Sequence, residues 1–462
     1  RLVQNSCMLN GTTPTTIQAI LQSATLNPLL TTGGVISQPW YPYGITISTP
    51  QSFAVLKNSS TSLKLIVKND PSVTHYNVYK STNGTTFSSP IQLPKNNLVL
   101  TGLTTNQIYF VKISAYDSTN AVTSGISEVL AAVPTTHTDS TLLVNGFDRA
   151  VTGNTYNFTI QHGNSFYNNN KYIESCTNEA VTDNIVALAN YRVVDWILGE
   201  ESTADETYSS TEQTYVSNYL KQGGYLFTSG SEIGWDLDHG GTTADKQFYN
   251  NYLKASYVAD APGGTSNTYY SSLAQSVSTS IYASNDTVKF DNGTHGTYNV
   301  SYPDVITAIN GSSPDLHYTT SATDYACLHY AGVFTGGTKL GKLVYMSYPF
   351  ETIYPATMRD TVAKDVLIFF FNNQTTSVQS LQNKTHNLYP NPTTGMFTIA
   401  SDKVAENCFV QICDMQGRVL KEENITATSQ QVNCTDFMAG MYLVKIYGNG
   451  SLQSNLQLLI FK

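Results

Sequence analysis

The chain has 462 residues, 40% of them hydrophobic, which is enough for several cores at roughly 100 to 200 residues per domain. Only 12% of residues are charged against a usual ~25%, so the surface is solvated mainly by hydroxyls and amides, with tyrosine abundant. A net charge of −9 without a Lys/Arg cluster argues against nucleic acid, and no apolar run approaches the ~18 residues of a membrane-spanning helix, the longest being Val366 to Phe371.

Residues 1–48 hold one helical candidate, Thr15 to Ser23, then a Gly-, Pro- and aromatic-rich stretch with Pro39, Trp40 and Pro42. They are expected to be the tail of an upstream region plus a linker behind a processed amino terminus, since Arg1 follows no initiator Met or signal segment. Residues 49–136 change to short alternating runs, among them Ser62 to Val67, His75 to Tyr79 and Tyr109 to Tyr116, separated by turn residues such as Asn83-Gly84. This is the pattern of a β-sandwich. The segment LTGLTTNQIYFVKISAYD, with Leu103 and Tyr109 ahead of an alternating strand, resembles the tyrosine corner of a fibronectin type III domain, which implies a spacer or binding module.

Residues 138–374 alternate apolar strands with helical patterns, which predicts βαβ units around a parallel sheet. The strands are expected at Thr141 to Val144, Arg192 to Leu198, Gly224 to Thr228 and Lys342 to Ser347. A helix opens at Ser209 with Glu212 in capping-box spacing and closes at Gly223-Gly224, and a last one runs from about Pro355 to Phe371. Residues 255–340 read either as an inserted β-rich region or as part of the sheet. GGYLFTSGSEIGWDLDH followed by GKLVYMSYPFETIY resembles a class I glutamine-amidotransferase-like, flavodoxin-like doubly wound domain. The whole segment resembles a xanthan-lyase-like, golvesin-associated module of exported Bacteroidetes proteins, which implies architecture and location rather than a reaction.

Residues 375–386 read as a linker and 387–462 as a small β-sandwich. LYPNPTTGMFTIA, VQICDMQGRVLKE and AGMYLVKI match, in order, the blocks of a type IX secretion (Por) sorting domain. That resemblance implies passage through the type IX machinery to the surface or exterior of a Gram-negative bacterium. Six scattered cysteines form no zinc spacing; a Cys408–Cys434 disulfide and buried thiols are equally compatible with the pattern. Asp-Ser/Thr-apolar triplets at Asp286-Thr287-Val288 and Asp360-Thr361-Val362 resemble O-glycosylation sites of that bacterial group.

In a doubly wound sheet, ligands bind outside the carboxyl ends of the strands. The residues expected there are polar: Asp148-Arg149, Glu200-Glu201, Ser229 to Glu232 with Asp236, Asp238 and His239, and Glu351. Amidotransferase-like enzymes carry a nucleophile on a sharp turn between small residues, and Gly230-Ser231-Glu232-Ile233-Gly234 places Glu232 there instead of Cys. That departure argues against glutamine amidotransfer. Glu232 with Glu200 or Glu351, or with Asp236 and His239, would suit a hydrolase or lyase on an extracellular carbohydrate. Ser231 with His239 would suit a serine hydrolase, and Asp236 with Asp238 would suit calcium. Ordinary helix capping and ion pairing compete with each of these. The expected function is a binding or structural protein contacting polysaccharide or peptidoglycan, with a self-assembling surface-layer or filament subunit as a further alternative.

Overall fold

The computed structural model describes residues 6–9, 13–16, 46–148, 157–201, 206–264, 271–274, 280–282, 287–371, 386–401, 404, 408–414, 418–448 and 451–462. The chain divides into two compact units, residues 1–372 and 373–462, and is mostly β-sheet. Arg149, Asp286 and the linker expected at 375–386 lie outside the described residues, apart from His386. Where the sequence pattern predicts a helix from Thr15, the described part is instead a strand, Thr13–Thr16, antiparallel to Ser6–Leu9.

The first unit begins as a β-sandwich. One sheet holds β1 (Phe53–Ser59), β2 (Ser62–Val67) and the short β5 (Val99–Leu100); the other runs in the order β7 (Leu130–Ala132), β6 (Tyr109–Asp117), β3 (His75–Ser81), β4 (Ile91–Pro94). Period-two alternation sends Tyr109, Val111, Ile113 and Ala115 into the sandwich core with Leu65 and Val78. The Tyr109 hydroxyl accepts the Thr104 N–H at 3.0 Å, closing a tyrosine corner.

The opposite face of this sheet is buried too. Ile108, Phe110, Val129, Ala131 and Val133 share a second core with Phe147, Phe158 and Phe166. At the same boundary β1 pairs antiparallel with β9 (Tyr172–Thr177), so the sandwich sheet continues into the next one. Ser175 Oγ donates to Ala131 O and accepts from Ala131 N, both at 2.7 Å, replacing a missing ladder contact. The expected spacer is thus built into the neighbouring layer by shared strands and shared core.

Beyond β8 (Ser140–Asn145) and β9 follow β10 (Val193–Gly199), β11 (Tyr225–Gly230) and β18 (Leu340–Met346), all parallel, in the spatial order β9-β8-β10-β11-β18. Covered on both faces, β10 is buried along its whole length. On one side α1 (Thr159–Asn168) and α5 (Ala356–Phe371) meet Leu143, Phe227 and Val344; on the other α2 (Asn178–Thr182) and α3 (Ser210–Lys221) meet Leu142, Val194 and Leu226. The Ser209–Glu212 capping box that opens α3 is formed in both directions.

Between β11 and β18 the chain makes a π-helical turn, Trp235–Gly240, then α4 (Thr243–Phe248), and then joins the same sheet. The strands are β12 (Ala255–Ala259), β13 (Ser271–Ala274), β14 (Val288–Phe290), β15 (Val305–Ala308), β16 (Ser313–Tyr318) and β17 (Tyr325–Val333), with β17 antiparallel to β18 and β14 antiparallel to β19 (Ile353–Tyr354). The described strands between residues 255 and 340 therefore extend the sheet.

The second unit packs β20 (His386–Tyr389), β21 (Met396–Ser401) and β24 (Ser429–Asn433) in one sheet, and β22 (Phe409–Cys413), β23 (Val419–Asn424), β25 (Gly440–Gly448) and β26 (Ser451–Ile460) in another. Phe397, Val410, Val432, Val444 and Ile446 fill its core. The expected Cys408–Cys434 disulfide is not made, both residues being buried and unbridged, and burial raises the Cys434 thiol to about 11.

Candidate functional site

The turn after β11 carries the sharpest local signal. Glu232 has φ +60°, a conformation costing an L residue with a Cβ about 1–2 kcal/mol. The reason lies in the frame around it. A Cβ on Gly230 would come within 2.9 Å of Leu198 Cβ, and one on Gly234 within 2.6 Å of the Tyr249 hydroxyl and 3.1 Å of Asp304 Oδ2. Gly230 is packed against the neighbouring strand and Gly234 against Tyr249 and Asp304, which favours glycine on either side of the half-buried Glu232.

Asp304 holds this turn from beneath. Its Oδ2 accepts the N–H of Gly234 at 2.6 Å and of Trp235 at 3.4 Å. Its own backbone is fixed in turn, with its carbonyl accepting hydroxyl donations from Ser347 (2.7 Å) and Tyr318 (2.9 Å). Asp304 is fully buried, and burial, followed by the charges of Glu232 and Asp260, holds its carboxyl well above the usual range. Because Asp304 occupies the Gly234 and Trp235 amides, the turn does not offer them to a substrate oxyanion. Asp304 was missed in the sequence because it sits in the Ser/Thr/Asn-rich segment whose place in the sheet was left open; the Pro303-Asp304 pair before Val305-Ile306 was the local mark.

The expected partners disperse. Asp236 accepts from the Thr207 N–H at 2.9 Å and hydroxyl at 2.8 Å, while Asp238 accepts from Tyr257 N at 2.8 Å and Ser256 Oγ at 3.3 Å. Each ties its turn to a different element, and among the described residues no group of three or more His, Cys, Asp or Glu is placed to hold a metal. Burial raises the Asp236 carboxyl. Ser231 is buried, its Oγ without a hydrogen-bond partner, whereas His239 is exposed and stacks on Trp235 at 4.3 Å and tilts onto Tyr257 at 5.3 Å. The Ser231–His239 hydrogen bond of a serine hydrolase is not present.

Glu200 accepts from Ser301 N at 2.8 Å. Glu351 is fully buried and faces His162 Nε2 at 3.2 Å, while His162 Nδ1 lies 2.6 Å from Asp195 and the Tyr298 hydroxyl donates to Glu351. Burial works to lower the His162 pKa, but the two carboxylates outweigh it and lift it to about 9. This trio spans the sheet interior between β10 and α1 and has no open face.

Two clefts lie elsewhere: one of about 330 Å³ is lined by Lys68, Asp70, Tyr76, Glu179 and Asp183, the other of about 520 Å³ by His137, Lys171, Tyr172 and Arg192 at the amino ends of the strands. In the second, Lys171 lies over Phe371 and Arg192 over Tyr225, both 3.8 Å from the ring centre. Their charges are already engaged.

Residues 387–460 match the secretion system C-terminal sorting domain. No curated protein matches the chain. Solved structures similar to it include a β-1,2-glucanase from Parabacteroides distasonis, 16% identical with a TM-score of 0.18 over 21% of this chain and 14% of that one. They also include a Fn3-like protein from Clostridium thermocellum, 21% identical over 18% of this chain and 85% of that one, TM-score 0.16. A third is the sixth fibronectin type III domain of human fibronectin type III domain containing protein 3, 17% identical over 22% and 94%, TM-score 0.16. The chain spans about a seventh of the glucanase and most of each fibronectin module. It carries the sorting domain of an exported protein handled by type IX secretion, destined for the cell surface or the exterior. No helix among the described residues is long and apolar enough to cross a membrane.

Proposed function

We propose that this is an exported protein of a Bacteroidetes-type bacterium whose α/β layer engages an extracellular polysaccharide or peptidoglycan at the carboxyl edge of its parallel sheet, over Glu232. The parallel strands in the spatial order β9-β8-β10-β11-β18 support this reading, since open parallel sheets bind ligands outside the carboxyl ends of their strands. The observation that carries the reading is Glu232 itself. A carboxylate held at positive φ between two sterically required glycines is a local cost that packing alone does not call for. Trp235, His239 and Tyr257 form an aromatic group beside it, suited to the apolar faces of sugar rings.

A second reading, a hydrolase or lyase, has one observation in its favour. Burial holds the Asp304 carboxyl well above the usual range next to the half-buried Glu232, and paired carboxyls with divergent environments are the usual source of acid and base roles. The test is a screen of the full chain on soluble polysaccharides and peptidoglycan, wild type beside Glu232→Gln, following both retention and product release. Retention without product in either protein supports a binding module. Product from wild type that is lost in the variant establishes the enzyme, and no retention at all removes both readings.

A further inference from the structure

We propose that the cleft at the amino ends of the parallel strands is a second ligand site, and that it takes an anionic sugar unit. It lies at the end of the sheet away from Glu232 and stands independently of the reading given to that residue. Its basis is how the local cations are held. Lys57 Nζ donates to the carbonyls of His137 (2.8 Å) and Thr138 (3.0 Å) and to Ser140 Oγ (2.9 Å), three residues that line the cleft. Arg192 donates to Gly223 O at 3.2 Å and to the Tyr225 hydroxyl while lying over the Tyr225 ring, and Lys171 lies over Phe371. All of these partners are neutral. Among the described residues none of the three cations forms an ion pair, whereas Lys68, at the smaller cleft, is paired with Asp183 at 2.8 Å.

Acids outnumber Lys and Arg in this chain, 33 to 24, so three bases gathered without an acid partner are a local departure from its composition. A ring face offsets only about 0.5–1 kcal/mol for an exposed cation, and neutral oxygens supply no counter-charge, so the positive charge stays with the cleft. The acid among the lining residues is Asp139, which acts on Lys171 without reaching ion-pair distance, while Glu174 is buried and accepts the Lys57 backbone N–H at 2.7 Å. The Arg192 guanidinium carries more donors than its two acceptors use, and charge-assisted bonds from such a fork to a carboxylate or sulfate are among the strongest available to a surface. The volume of about 520 Å³ is that of a small-ligand site, roughly 300–1,000 Å³. His137, stacked on Tyr172 at 4.3 Å, and exposed Phe371 add ring faces to the same cleft. An anionic sugar uses both halves, its charge on the cations and its C–H face on the rings; a bare phosphate chain uses the charges and leaves the rings idle.

The experiment measures binding of the full chain to soluble polygalacturonate, dextran sulfate, unmodified dextran and inorganic polyphosphate at fixed ionic strength. Variants are Lys171→Gln with Arg192→Gln, Lys171→Gln alone should the double variant fail to fold, Asp139→Asn, and a control that removes two exposed positive charges elsewhere (Lys64→Gln with Lys289→Gln), each matched to wild type by circular dichroism. The expected result is retention of an anionic polysaccharide at least about tenfold tighter than unmodified dextran, polygalacturonate marking carboxylate and dextran sulfate marking sulfate as the anion. Lys171→Gln should weaken that binding several-fold and the double variant at least about tenfold, Asp139→Asn should strengthen it, and the control should leave it unchanged. Neither anionic polysaccharide retained by folded wild type, or an equal loss in the control, overturns the site. Polyphosphate bound as tightly as the polysaccharide overturns the sugar and leaves unspecific charge. Glu232 is untouched in every variant, so failure here leaves the reading of that edge standing.

Discussion

Two buried carboxyl groups of the same layer, Asp195 and Asp304, have opposite surroundings. Asp195 sits mid-strand in β10 and meets the cationic ring of His162, which Glu351 faces from the other side. Asp304 sits at the sheet edge, accepts the backbone N–H groups of Gly234 and Trp235, and has Glu232 and Asp260 among its charged neighbours. Both are fully buried and both are raised, burial being the first cause, but at Asp195 the His162 ring works against the rise while at Asp304 the neighbouring charges add to it. A closed ion pair holds a fold together and has nothing left to offer a ligand. Asp304, raised by burial, lies instead under a half-buried carboxylate held at positive φ at the sheet edge.

The largest effect that tests this contrast is at the closed network. Asp195→Leu removes one of two counter-charges from a fully buried His162 and should cost about 3–5 kcal/mol, read as a lower urea midpoint with unchanged slope. The pH dependence follows from His162 itself. Its folded pKa of about 9 lies above its ordinary value near 6.5, so its stabilisation is complete below ~6.5 and lost as pH rises through 9. Glu179, raised to about 7 by burial and by Asp148, adds a loss of the same sign as pH rises from ~4.5 through 7. Wild type should therefore melt lower at pH 9.5 than at pH 6, and the part of that fall due to His162 should vanish in His162→Leu. An unchanged slope in that variant would show that His162 is neutral in the fold.

Next in size is the frame of the turn. Gly234→Ala sets a Cβ against the Tyr249 hydroxyl and the Asp304 carboxylate and should cost about 1–3 kcal/mol as an overpacking change. Glycan retention should fall with it, because the turn that aims Glu232 has to shift. A variant of native stability would mean that the turn relaxes freely and that Glu232 is not held in a required direction.

The sequence disclosed what local rules govern. The Ser209–Glu212 capping box, the apolar runs of β10 and β11, and the glycines two residues either side of Glu232 were each readable because short-range sterics and hydrogen bonding decide them. The sorting domain was readable from its three blocks, and residues 387–460 match that family. Long-range pairing hid the rest. Nothing local to Ala54 or Cys176 announces that β1 and β9 join two sheets, and the burial of both faces of β6 becomes intelligible only with α1 in place. Glu351 looked like an edge residue because Phe350–Thr352 follows a strand, yet that 3₁₀ turn folds its side chain inward onto His162. Asp304 acts on a turn 70 residues earlier, a relation that no spacing encodes.

The smallest effect is the most discriminating, because its sign is unusual. Glu232→Gly removes a Cβ from φ +60°, where glycine is at ease, and removes one of the charges acting on Asp304. Against this stands the greater freedom of glycine in the unfolded chain, roughly 0.5–1 kcal/mol. The balance should be a stabilisation of up to about 1 kcal/mol, accompanied by loss of glycan retention, the signature of a residue kept for what it does and at some cost to the fold. Calorimetry of the two proteins at pH 7 reads the sign directly. A lower melting temperature in the glycine variant would make Glu232 a packing residue. The contrast between the closed Asp195 network and the Glu232 edge would then be one of position in the sheet and not of purpose.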